Sequence, residues 1–73
     1  MQEYFFSMYL DYEQCLDFYN GSIKFVQVIE DGGKRIRFPV IHVRKFVSSI
    51  GIRGRFRLCL DEQSAFISLE KIA

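Results

Sequence analysis

The sequence predicts a small α+β fold: a strongly curved antiparallel sheet or partial barrel of about five strands, in the order β-α-β-β-(short helix)-β-β. Three observations carry this expectation. Residues 3–10 and 53–60 alternate apolar and polar, as half-buried strands do. Residues 11–21 form one capped segment with helical spacing. Asp31-Gly32-Gly33 separates two further strand-like runs, a hairpin signal. With 73 residues the chain, 1–73, makes a single domain. A chain so short buries only about 60% of its unfolded surface and builds one core.

In the first strand, Glu3 to Leu10, the residues Tyr4, Phe6, Met8 and Leu10 line the buried face. Phe5, Ser7 and Tyr9 line a second, partly covered face. The helix follows over Asp11 to Gly21. Asp11 caps it, and Gln14 three residues on completes a capping box. Tyr12, Cys15, Leu16 and Tyr19 make an apolar stripe that Phe18 widens, and Asn20-Gly21 ends the helix. Asn20-Gly21-Ser22 also matches a glycosylation acceptor, an accidental match beside this role.

Ile23 to Glu30 is apolar on both faces and reads as a central strand. After the Asp31-Gly32-Gly33 turn, Ile36 and Phe38 point inward and Arg35 and Arg37 outward. Pro39 stops the pairing or marks an edge, and can open the next helical turn. Val43, Phe46, Val47 and Ile50 then follow helical spacing for one or two turns, which Gly51 closes. From Arg53 to Leu60, Phe56, Leu58 and Leu60 point inward while Arg53, Arg55 and Arg57 point outward. Asp61 to Ser64 is a turn, and Ala65 to Glu70 returns antiparallel. Phe38, Phe46, Phe56 and Phe66 supply roughly one aromatic anchor per element.

Charge is the most informative functional feature. Eight of the ten basic residues, Lys34, Arg35, Arg37, Arg44, Lys45, Arg53, Arg55 and Arg57, fall between residues 34 and 57, where no acid occurs. Residues 1–33 carry six acids and one lysine, so a net charge of +1 hides a polarised chain. A basic surface of this kind suits nucleic acid or another polyanion. Arginines at every second position of a strand stand about 7 Å apart, close to the spacing of successive phosphates. If the third and fourth strands are neighbours, five guanidiniums share one sheet face. The plain alternative is a solvated face neutralised by Glu13, Asp17, Asp61, Glu62 or Glu70.

Aromatic interleaving would strengthen a nucleic-acid role, but Phe56 alternates inward. Arg53-Gly-Arg-Phe shares only a fragment of the RNA-recognition strand motif, and Gly51-Ile-Arg-Gly54 leads into a strand rather than joining two helices as a KH loop does. Arg53 and Arg57 match half of the cyclic-dinucleotide pattern of PilZ domains, and residues 61–67 lack the other half.

A second function class is a protein-interaction or homodimeric module. Phe5, Tyr9 and Phe18 exceed what a small core holds, and exposed together they would form an apolar patch. An enzyme is not expected. His42, the one histidine, has no metal-ligand spacing around it, the acids fall on a helix face and in turns, and no cofactor motif or metal site is present. Cys15 and Cys59 sit in apolar surroundings and read as buried, reduced thiols of a cytoplasmic protein. The longest uncharged stretch near the start, Tyr4 to Leu10, is far short of the ~20 residues a membrane helix needs.

Five stretches carry a family resemblance: Asp-Tyr-Glu-Gln-Cys-Leu-Asp-Phe-Tyr-Asn-Gly (11–21), Arg-Ile-Arg-Phe-Pro (35–39), Arg-Lys-Phe-Val (44–47), Gly-Ile-Arg-Gly-Arg-Phe-Arg-Leu (51–58) and Phe-Ile-Ser-Leu-Glu (66–70). In order and spacing they resemble domain of unknown function family 2835, a family of small proteobacterial proteins. Lys45 departs from the pattern, which has a proline in that helical turn. The resemblance implies a stand-alone bacterial protein of about this length and supplies no activity.

Overall fold

A computed structural model describes all residues, 1–73. Its elements are β1 (Gln2–Leu10), α1 (Tyr12–Leu16), β2 (Phe25–Ile29), β3 (Arg35–Pro39), α2 (Ile41–Arg44), β4 (Ile52–Leu60) and β5 (Phe66–Lys71). The fold is α+β, and the element order is the predicted one. The sheet arrangement differs. The strands divide into a three-stranded antiparallel sheet, β1-β4-β5, and a separate hairpin, β2-β3. Neither a single five-stranded sheet nor a closed barrel forms. The turn of the hairpin meets the free edge of β1 at one backbone hydrogen bond, Asp31 N–H to Phe5 C=O at 2.8 Å. β2 pairs only with β3, and the hairpin lays its inner face over the larger sheet instead of extending it.

The core lies between these two layers and is closed by the helical turns. Phe6, Met8, Ile52, Phe56, Leu58, Leu60 and Leu69 come from the large sheet, and Val28, Ile36 and Phe38 from the hairpin. Cys15, Phe18, Val40 and Val43 close the ends. Phe6 and Phe56 are register partners with ring centroids 5.7 Å apart, and Phe38 lies 6.2 Å from Phe6. These rings join the layers, and deleting one such buried ring costs about 3–5 kcal/mol. Gly51 sits where β4 begins beneath the end of β1. Its φ is +101°, and a Cβ there would lie 2.9 Å from the Asp11 Cα, so only glycine fits.

Several local expectations change. The capping box forms: the Asp11 carboxylate accepts from Gln14 N–H at 2.8 Å, and the Gln14 side chain accepts from Asp11 N–H at 2.9 Å. The α-helix nevertheless ends at Leu16, well before Gly21. Phe18 and Tyr19 bond three residues back, to Cys15 and Leu16. Asp17, Phe18, Tyr19 and Asn20 are weak helix formers, and the Asn20 side chain accepts from Ser22 N–H and turns the chain. The predicted stripe is only partly used: Cys15 and Phe18 are buried, whereas Tyr12, Leu16 and Tyr19 are exposed.

β2 is not central. Its outer residues Phe25 and Ile29 remain 49% and 63% exposed. The hairpin turn forms as predicted, and of its two glycines Gly33 takes the positive φ, +93°. Pro39 is the last residue of β3, on an edge strand, and Val40 rather than Pro39 precedes α2. The α2 turn continues through three-residue bonds to Val47, burying Val43 and leaving Ile50 exposed.

Candidate polyanion-binding surfaces

The outer face of the large sheet carries the arginines of β4. Antiparallel register sets Arg53 opposite Tyr9, Arg55 opposite Ser7, and Arg57 between Phe5 and Glu70. Small Ser7 leaves room for Arg55 to cross β1. Its guanidinium donates to Ser7 Oγ at 3.1 Å and to both carboxylate oxygens of Asp31 in the hairpin turn, one at 2.9 Å. This fork-on-fork geometry is the favourable one for arginine and carboxylate. It holds the Asp31 carboxyl below its ordinary range, through the hydrogen bonds first, and raises Arg55 for the same reason.

Arg57 is held from both sides. Glu3 accepts from its Nε, and Glu70 accepts from Nη1 at 3.0 Å. The hydrogen bond to Glu3 is the main cause of its raised pKa. Two of the three β4 arginines are therefore neutralised within the molecule, and Arg53 alone on this strand is exposed without a carboxylate. Of the acids expected to pair with this face, only Glu70 does so. Asp61 instead accepts from the N–H groups of its own turn, Gln63 and Ala65, and Glu62 lies 3.9 Å from the N-terminal amine. Glu3 and Asp31 are the partners that sequence reasoning missed.

The hairpin presents a different surface. Its outer face carries Phe25, Gln27 and Ile29 from β2 and Arg35 and Arg37 from β3, with Gln27 opposite Arg37 and Ile29 opposite Arg35. No acid points from it. Glu30 turns its carboxylate onto the turn, accepting from Gly32 N–H at 2.8 Å and Lys34 N–H at 3.1 Å. Neither Arg35 nor Arg37 has a carboxylate partner, and the Arg37 guanidinium lies over the Phe25 ring, 4.8 Å from its centroid.

The remaining bases lie elsewhere. Lys34 Nζ donates to the Tyr4 hydroxyl at 3.1 Å and lies over that ring. Arg44 clasps the turn after α1: its Nε donates to the Phe18 carbonyl at 2.6 Å, and Tyr19 OH donates back to the Arg44 carbonyl at 3.0 Å. Lys45 lies over Phe46. β3 and β4 are not neighbours, so the five guanidiniums do not share a face, and the eight basic residues spread over at least three surfaces. The rows of alternating arginines point outward as predicted but belong to different sheets.

Phe5 and Tyr9 are 37% and 65% exposed, while Phe18, grouped with them on sequence, is 4% exposed and belongs to the core. The register sets the two exposed rings opposite Arg57 and Arg53. Aromatic interleaving therefore occurs across strands, where a search along one strand does not find it.

His42 stacks on Phe66, with ring centroids 3.5 Å apart and planes 7° from parallel. Burial, and secondarily Lys45, holds its pKa below the ordinary 6.5. Cys15 and Cys59 are free and buried, and burial pushes the Cys15 thiol up. No three His, Cys, Asp or Glu side chains gather as a metal site, and no pocket opens in the surface. No helix is long and apolar enough to cross a membrane.

The family model described as protein of unknown function (DUF2835) matches residues 2–72. The chain belongs to that family. No curated protein and no solved structure matches it.

Proposed function

We propose that this DUF2835 member is a small, non-enzymatic module that makes weak contacts with nucleic acid or another polyanion, chiefly through the outer face of the β2–β3 hairpin. One observation carries the reading: Arg35 and Arg37 stand on an acid-free face, unpaired, beside an exposed ring and an amide. Guanidinium suits bidentate phosphate contact, and here no internal carboxylate has to be displaced first. The β4 arginines contribute less, because Arg55 and Arg57 already hold carboxylates. The proposal includes a cytoplasmic setting, which the two buried, unbridged cysteines support.

The test is fluorescence anisotropy with labelled nucleic acid across a salt series. With two to four phosphate contacts, affinity should fall roughly 10- to 150-fold between ~50 and ~200 mM salt. Arg35→Glu with Arg37→Glu should remove binding while the fold survives. Binding that persists undiminished in that double variant contradicts the proposal.

The exposure of Phe5 and Tyr9 favours a second reading, a protein-interaction or homodimeric module that uses the outer face of β1. Sedimentation at micromolar concentration tests its homodimeric form. A dimer that Tyr9→Ser dissociates supports it, and a monomer at all concentrations removes that form.

A further inference from the structure

The hairpin has the dimensions and the side chains of a groove reader. β2 and β3 pair only with each other, so the outer face is a two-stranded ribbon, which meets β1 at one backbone hydrogen bond beside its turn. Each strand has five residues, giving a ribbon about 17 Å long with its strands about 5 Å apart. B-DNA's major groove, ~12 Å wide, admits such a ribbon. The three-stranded sheet is wider by a further strand, and two of its three arginines are paired with acids.

The exposed chemistry fits base edges better than a phosphate track. Arginine matches the two acceptors of guanine, glutamine matches adenine, and an aliphatic group suits the thymine methyl. The ribbon offers Arg35, Arg37, Gln27 and Ile29, in the cross-strand pairs Gln27–Arg37 and Ile29–Arg35. The Phe25 ring supports the Arg37 guanidinium from below, which limits the freedom Arg37 loses on binding. A single-strand platform needs several open rings in succession. This face has one ring, Phe25, half exposed with the Arg37 guanidinium over part of it.

We infer that the ligand of the hairpin is duplex DNA, with the ribbon lying in the major groove and Gln27, Arg35 and Arg37 meeting base edges. This rests on the polyanion reading of the same face. It is tested with three labelled probes of one mixed sequence: duplex DNA, duplex RNA and single-stranded DNA. Duplex RNA keeps the phosphates but closes the major groove to side chains. Binding to duplex DNA should exceed binding to duplex RNA at least tenfold, and Gln27→Ala with Arg37→Ala should reduce it about tenfold or more. Both substitutions are on the surface, and an unchanged amide NMR spectrum of the core residues confirms that the variant is folded. Equal affinity for all three probes, or preference for the single strand, overturns groove reading and leaves the polyanion reading standing. No binding to any probe at ~50 mM salt removes groove reading and the nucleic-acid form of the polyanion reading together.

Discussion

Strand β4 sets Arg53, Arg55 and Arg57 at every second position, and β3 does the same with Arg35 and Arg37. On β4, cross-strand neighbours and the docked hairpin turn bring Glu3, Glu70 and Asp31 onto two of the three guanidiniums. On β3, the neighbours are Gln27 and Ile29, and both guanidiniums stay without a carboxylate. One sequence pattern thus yields a neutralised face and an available one. What separates them is the surroundings: neighbouring strands bring Glu3 and Glu70 to Arg57 and the docked turn brings Asp31 to Arg55, whereas β2 offers β3 no acid.

The comparison rests on the layered fold, so the largest effect comes from breaking the layers. Phe56→Ala removes the ring stacked on Phe6 and should cost about 3–5 kcal/mol. Ile36→Val, which trims the inner face of the hairpin, should cost only about 0.5–1.5 kcal/mol. Denaturant titration of both variants measures this ranking.

The second way to break the comparison is to free β4. Glu3→Gln, Asp31→Asn and Glu70→Gln together release Arg55 and Arg57 and raise the net charge from +1 by three. Polyanion affinity should then rise, on the order of tenfold at low salt, and should no longer depend wholly on Arg35 and Arg37. Unchanged affinity would mean that the ion pairs already yield to phosphate, as exposed pairs of small net worth can.

Much of this fold was legible in the chain. The order of elements followed from alternation, one capped helix and one Asp-Gly-Gly turn, all signals within a few residues of each other. The arrangement of the sheets was not, because a strand's period does not name its partner. Apolar residues on both faces of β2 suggested a central strand, yet a guanidinium covers part of Phe25 and solvent meets the rest of it and Ile29. The same limit governed the candidate site. Glu70 lies 13 residues from Arg57 in an adjacent hairpin and was among the expected partners. Asp31 and Glu3 lie 24 and 54 residues from their arginines, and only tertiary packing brings them there.

Two smaller effects sharpen the contrast through pH. The Asp31 carboxyl is held below its usual value in the folded protein, chiefly by its hydrogen bonds to Arg55. Its contribution to stability is therefore present above about pH 4 and is lost as pH falls through the folded midpoint. Protection of the Asp31 amide from exchange, relative to its intrinsic rate, should fall over that range in the native protein, since its N–H bonds to Phe5, and should already be low at neutral pH in Asp31→Asn. The smallest effect lies outside both faces. His42 is held neutral by burial against Phe66, so its contribution is complete above pH 6.5 and declines as pH falls toward its lower folded midpoint. An NMR titration of its ring protons should place that midpoint below 6.5.

The most direct test of the contrast observes the guanidiniums themselves. In nitrogen-labelled protein, the arginine Nε–H resonances are followed while pyrophosphate is added at low salt. Arg35 and Arg37 should shift together and saturate, while Arg55 and Arg57 stay in place, Arg57 with a slowly exchanging Nε–H proton held by Glu3. Shifts led by Arg55 and Arg57, with Arg35 and Arg37 unmoved, would contradict the account.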